Sequence, residues 1–197
     1  MTSRVDVGSD LDFDIIIAGG GLSGCLMAKS LATLLTPCGQ SLRIAIIEPT
    51  TINGDSHSTH IQSLDDRVIA LSHASSTYLE QLGVWHHLKE HATPIEHIHV
   101  SDRGHYGKAR IHACEHQVPA LGYVVELSKI VSSLVNQVKH QSNIQWYCPD
   151  SIESINWSKT HVDVSLKSRE SVNGKLLIAC DGAQSQCCLL YTSDAAD

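Results

Sequence analysis

The run Gly19-Gly20-Gly21-Leu22-Ser23-Gly24 stands between an apolar stretch and a segment of helical pattern, and an acid, Glu48, closes the next apolar stretch. Each glycine has a physical reason at this spacing. Gly19 permits a sharp turn out of a strand, Gly21 lets a pyrophosphate approach the backbone, and Gly24 lets the helix pack close to a sheet. The free N–H groups at the start of that helix favour phosphate oxygens, and Gly20, Leu22 and Ser23 are neighbours whose backbone could also approach the pyrophosphate. Glu48 is placed to accept hydrogen bonds from ribose hydroxyls. A carboxylate there disfavours a 2′-phosphate, so the expected ligand is FAD or NAD rather than NADP. The six-residue glycine pattern alone would say little. Between two strands, with an acid at the end of the second, it predicts a dinucleotide site.

A second group lies near the other end. Residues 176–180 are apolar and lead into Asp181-Gly182. This puts a carboxylate and a flexible backbone at the C-terminal edge of a strand, where open α/β sheets bind ligands; alone, the pair reads as a turn. No Ser/His/Asp or Cys/His set suggests nucleophilic chemistry, so no catalytic residue is assigned. His87 and His91, with Glu90 between them, have helical i, i+4 spacing. They do not form H-E-x-x-H and lack an evident third ligand, so they read as a solvated helix face and no metal is assigned.

The elements that must position these groups follow from periodicity. Residues 14–18 and 43–48 read as buried strands, and 25–35 as the helix between them. Residues 49–66 read as a loop. Asp65 to Leu71 lead into a helix over 72–82, with Leu71, Ser75, Tyr78, Leu79 and Leu82 on one face and Gly83 at its end. Residues 84–91 form a short helical piece stopped before Pro94. A strand over 95–102 with one apolar face is expected to pair with 108–113. Then come a strand at 123–126, an amphipathic helix over 127–139, short strands at 144–147, 151–156 and 161–166, and a final buried strand at 176–180. The fold class expected is α/β: a Rossmann-like domain with a parallel sheet plus an additional small β-sheet.

The bulk properties narrow the function. At 197 residues the chain suits one domain with a sizeable core, and a formal charge of −7 argues against nucleic acid. No apolar run is long enough to span a bilayer, and residues 1–12 are polar and acidic, unlike a signal peptide. The seven cysteines form no C-x-x-C pair, which suits reduced thiols in a cytoplasmic protein.

Three pieces occur in order: the glycine run with its strand-end acid, an arginine segment after the second strand, and Ala179-Cys180-Asp181-Gly182-Ala183-Gln184-Ser185. In these the chain resembles the aromatic flavoprotein monooxygenases, the group that includes p-hydroxybenzoate hydroxylase. Within the group it is most similar to the ubiquinone-biosynthesis hydroxylases, of the type acting on 2-polyprenyl-6-methoxyphenol. Asp65-Asp66-Arg67-Val68-Ile69-Ala70-Leu71-Ser72 and Leu121-Gly122-Tyr123-Val124-Val125-Glu126-Leu127 carry that nearer likeness, and the resemblance spans about residues 12–187.

The resemblance implies FAD held through Gly19, Gly21, Gly24 and Glu48. It implies Arg67 near the flavin phosphates, Asp181 and Gly182 in contact with FAD and NAD(P)H, and Glu126 near a cofactor-holding position. An ion pair of Arg67 with Asp65 or Asp66 is the structural alternative. The implied reaction is hydroxylation of a polyprenylated phenol with NAD(P)H as co-substrate and O2 as oxidant. The implied setting is cytoplasmic and peripheral at the inner membrane, with a membrane surface or lipid-handling partner and other ubiquinone-biosynthesis proteins nearby.

Two features depart from the group. Its later Gly-Asp-Ala-x-His segment is absent, and Cys180 stands where relatives often carry alanine. The last ten residues, Cys188-Leu189-Leu190-Tyr191-Thr192-Ser193-Asp194-Ala195-Ala196-Asp197, resemble the translation of a transposase adapter from sequencing libraries. Residues 1–187 are therefore expected to be the N-terminal portion of a C-terminally truncated FAD-binding domain, and 188–197 a non-native tail. Two other readings stay open. One is a different FAD oxidoreductase, such as an amine oxidase or a dehydrogenase. The other is a non-catalytic cofactor-binding fragment, for which this chain would bind FAD weakly or not at all and turn nothing over.

Overall fold

The computed structural model describes residues 11–51, 67–104 and 106–189. The expected loop over 52–66, with Asp65 and Asp66, and most of the tail lie outside the described residues. The chain divides into two compact units, one of residues 1–54 and 134–197 and one of residues 55–133.

The first unit is built on β1 (Phe13–Ala18), whose six residues are all buried. β2 (Ile44–Ile47) pairs with it in parallel on one side, and β11 (Ser171–Ala179) in parallel on the other. β8 (Ile144–Tyr147) adds in parallel beyond β2. β10 (Val162–Leu166) and β9 (Ile152–Trp157) continue beyond β11 in antiparallel fashion, giving the order β8-β2-β1-β11-β10-β9. Helix α1 (Leu22–Leu31) joins β1 to β2. One face of the sheet carries a core that includes Ile16, Ala45, Ile47, Ile152, Val164 and Leu166. The α/β class with a mostly parallel sheet is as expected.

Two elements of this unit differ by several residues from the sequence reading. The helix runs over 22–31 rather than 25–35. Beyond it Pro37 disfavours helix in the residue before it. Thr36 and Gly39 instead close a turn, the Gly39 N–H donating to the Thr36 carbonyl at 2.8 Å, and Leu34 and Leu35 are exposed. The last strand starts at Ser171, not at 176, because one strand serves two neighbours. Its first half pairs with β10, while Gly174 to Ala179 pair with β1.

A charge is buried at the start of β1. Asp14 accepts a 2.9 Å hydrogen bond from the Arg43 N–H and forms a 2.7 Å ion pair with Lys175 Nζ. Burial alone would raise its carboxyl pKa. The Arg43 N–H and the Lys175 ammonium outweigh this and hold it below 3.8. A folded value below the unfolded one stabilises the fold above about pH 4, and that contribution is lost as pH falls through the folded value. Thermal melts followed by circular dichroism from about pH 2 to 7 should therefore show Asp14→Asn with a lower Tm than wild type at neutral pH and a flatter loss in acid. Parallel acid limbs in the two proteins would contradict this.

The second unit holds β3 (Val68–Ser72), α2 (His73–Gln81), α3 (Trp85–Leu88), β4 (Thr93–Ile95), β5 (His97–Ser101), β6 (Lys108–His112), β7 (Gly122–Glu126) and the first half of α4 (Leu127–Lys139). β3 and β4 flank β7 in a three-stranded antiparallel sheet, and β5 pairs with β6 in a hairpin. The segment expected to lead into a helix is strand β3. Gly122 makes this possible, because a Cβ there would run into the Leu71 carbonyl. The helix starts only at His73, capped by Ser72 Oγ, which accepts from the Ser75 N–H at 3.1 Å.

The single strand expected over 95–102 is divided between β4 and β5. Its apolar face does not cover a core, since Ile98 and Val100 are 36% and 55% exposed. His87 lies in α3 while His91 lies in a following 3-10 turn, so the two do not share one α-helical face. Helix α4 buries Ile130, Val131, Leu134, Val135 and Val138, in keeping with an amphipathic helix over 127–139.

Candidate functional site

Three loops leave the sheet at one level. The register sets Ala18 of β1 beside both Ile47 of β2 and Ala179 of β11, and Ile47 beside Tyr147 of β8. The ladder continues one residue further. The Gly19 N–H donates to the Ile47 carbonyl at 2.8 Å, Cys180 N–H to Ala18 at 2.7 Å, and Glu48 N–H to Tyr147 at 3.0 Å. The glycine run, Glu48 and Asp181-Gly182 therefore emerge together from the C-terminal edge of four adjacent parallel strands, the edge at which such sheets bind ligands. A cavity of about 240 Å³ at this edge is lined in part by Ala18, Gly19, Ile47, Pro49, Asp181 and Gln184.

The glycines have different jobs. Gly19 has φ +97°, and a Cβ there would sit 2.5 Å from the Cys180 carbonyl oxygen. A Cβ at Gly24 would collide with the Gly19 carbonyl. Both are demanded by the protein's own backbone. Gly21 is not: its φ is −74°, it is exposed, and a Cβ there would meet no atom of the described residues within 4 Å. Open space beside an N-cap glycine is a cradle that a side chain would fill. The first turn of α1 has no side-chain cap and no acid, so its N–H groups at Leu22, Ser23 and Gly24 face no competing carboxylate from that turn.

Glu48 is held rather than free. One of its oxygens, Oε2, accepts the Gly20 N–H at 2.7 Å, and Oε1 accepts the Thr50 N–H at 2.9 Å. Each carboxylate oxygen keeps a further acceptor site, so hydroxyl donors can still be accommodated. The Cys25 thiol donates to the Gly20 carbonyl at 3.0 Å. Burial, then the Glu48 charge, push its pKa up to about 12, so it stays protonated as a donor. Asp181 turns back on its own loop, accepting the Cys187 N–H at 3.1 Å. Burial would raise its pKa, but hydrogen bonds from Ser185 and Cys187 outweigh this and hold it low. Gly182 is exposed at φ +80°.

Arg67 and Glu126 belong to the second unit, where they lie at the same end of one strand pair. Glu126 is paired with Val68, and the Leu127 N–H donates to the Arg67 carbonyl at 2.9 Å. Both side chains are exposed. Sequence reasoning missed Trp146, whose ring lies against Gly20: a Cβ there would be 2.7 Å from Trp146 Cζ3 and 3.0 Å from Glu48 Cβ. No local signal marks this, since Trp146 sits in an ordinary short strand. Among the described residues no group of three or more metal-ligating side chains occurs, and no helix is long and apolar enough to cross a membrane.

The arrangement fits a dinucleotide with a free ribose diol. Comparison with known proteins agrees. The FAD binding domain family matches residues 12–189. The chain is 27% identical to ubiquinone biosynthesis monooxygenase COQ6, mitochondrial, of Dictyostelium discoideum, over 93% of this chain and 40% of that protein. It is also 27% identical to 3-demethoxyubiquinol 3-hydroxylase of Escherichia coli, over 88% of this chain and 42% of that protein. The fold matches the crystal structure of p-nitrophenol 4-monooxygenase from Pseudomonas putida with a TM-score of 0.68 at 19% identity, over 93% of this chain and 44% of that one. The chain thus spans about 40% of the length of the curated relatives it matches.

Proposed function

Because this chain belongs to the FAD binding domain family, we propose that it is the dinucleotide-binding part of an FAD-dependent monooxygenase that hydroxylates a polyprenylated phenol in ubiquinone biosynthesis, with NAD(P)H as co-substrate. The observation that carries the cofactor reading is the open cradle at Gly21, next in the chain to the Gly20 N–H that the Glu48 carboxylate accepts. The substrate reading rests on the likeness to ubiquinone-biosynthesis hydroxylases.

In this reading the α1 first turn takes the pyrophosphate, and Glu48 takes the adenosine ribose hydroxyls while keeping its two backbone donors. Asp181 holds the loop after β11 in shape, its carboxylate engaged by Cys187, so that Gly182 brings backbone close to the cofactor. Cofactor-holding roles for Arg67 and Glu126 rest on the family likeness alone. The bound flavin supplies the oxygen-transfer chemistry, and the protein positions it and excludes water. A polyprenyl substrate calls for a membrane surface or a lipid-handling partner beside the protein, with the other ubiquinone-biosynthesis proteins as its working company.

The test is direct. The whole protein, expressed at the length of its relatives, should carry flavin absorbance, and a prenylated phenol should stimulate its oxidation of NAD(P)H in the presence of O2. A purified, folded protein with no flavin would reject the cofactor reading. Flavin without phenol-stimulated oxidation would reject the substrate reading alone.

A further inference from the structure

The strand end that scaffolds Glu48 is β8. The Glu48 N–H donates to the Tyr147 carbonyl at 3.0 Å, and the Glu48 carbonyl accepts the Asp150 N–H at 2.9 Å. Just beyond, the Cys148 thiol donates to the Thr50 carbonyl at 3.1 Å. The backbone on both sides of the strand-end acid is therefore tied to one short segment, and Trp146 opens that segment in register with Ile46. The indole ring occupies the space beside Gly20 that a side chain would need, next to the Glu48 stem. Gly20 in turn gives its N–H to Glu48 Oε2 at 2.7 Å. Trp146 Nε1 is buried and has no hydrogen-bond partner among the described residues, so the ring body rather than the N–H does the packing.

We propose that Trp146 is a positioning residue, a wedge that sets the glycine turn against the Glu48 carboxylate and thereby orients Glu48 for the ribose of FAD. The ligand named here rests on the cofactor reading above. The indole fills the space that a side chain at residue 20 would need, while the Gly20 N–H donates to Glu48 Oε2. A misplaced Glu48 loses a charge-assisted hydrogen bond of the kind that changes affinity by about tenfold.

The test uses the whole protein with Trp146→Ala, Trp146→Phe, Gly20→Ala and the Gly20→Ala/Trp146→Ala pair. FAD affinity is measured by titration, and Tm by circular dichroism. Trp146→Ala should weaken FAD binding about tenfold, while Trp146→Phe, which keeps a ring and drops only an unpartnered N–H, should stay within about twofold. Gly20→Ala should lower Tm in the wild-type background and lower it less beside Trp146→Ala, because the closest of its clashes has gone and only the Glu48 contacts remain. FAD affinity unchanged in Trp146→Ala, an equal loss in Trp146→Phe, or an undiminished Gly20→Ala effect in the double variant would each overturn the wedge. Absence of FAD binding in wild type would instead overturn the cofactor reading, and the ligand assigned to the wedge with it.

Discussion

Gly21→Ala is expected to leave the fold almost intact and to remove most of the affinity for FAD, whereas Gly19→Ala and Gly24→Ala are expected to damage the fold itself. The difference comes from what each missing Cβ would meet. At Gly21 it meets nothing, and the backbone is in an ordinary extended conformation, so the cost to stability is about 1 kcal/mol or less, that of a poorer N-cap residue. At Gly19 a side chain faces both φ +97° and the Cys180 carbonyl at 2.5 Å. Strain of this kind costs about 3 kcal/mol or more, a large share of a domain's stability. At Gly24 the obstacle is the Gly19 carbonyl, so the turn and helix would have to part. Thermal melts and FAD titration on the three variants separate the two roles. Equal Tm losses in all three would mean that the protein, not a ligand, requires Gly21.

Glu48→Gln should lower FAD affinity by about one to two orders of magnitude and also cost stability. The substitution keeps shape and removes charge, but the two carboxylate oxygens each accept a backbone N–H, from Gly20 and from Thr50. An amide offers one oxygen and one NH2, so whichever way it lies, a donor faces a donor. Leaving one partly buried N–H unsatisfied costs about 1–3 kcal/mol. The remaining amide also accepts the ribose hydroxyls less well than a carboxylate does. Titration with FAD and a thermal melt read the two effects separately. Unchanged FAD affinity together with a lowered Tm would reduce Glu48 to a structural clamp.

Much of the site was legible because its constraints are local. A sharp turn, a helix start and a strand-end acid must follow one another along the chain, so glycine spacing and the apolar runs on either side identify β1, α1 and β2 without tertiary information. The stripe of α4 was readable for the same reason. What failed was what depends on partners elsewhere. Residues 68–72 read as the approach to a helix, and they form a strand because β7 supplies the pairing and Gly122 the room. Residues 171–175 have no apolar run to mark them as strand, yet they are held by β10. The hydrogen bond from the Cys187 N–H to the Asp181 carboxylate was not legible either, since nothing in the spacing of the two residues marks the loop as closed.

From the chain alone one could therefore read a glycine turn at a helix start and an acid at the end of the next strand, because backbone conformation and helix start are set by neighbouring residues. Only the tertiary structure decided why Gly20 must also be glycine, since its obstacles are Trp146 and Glu48, brought to one point by the β1-β2-β8 register. It likewise told three of the run's glycines apart. Gly19, Gly21 and Gly24 look alike in the chain, and they differ only in which atoms the folded protein places beside them.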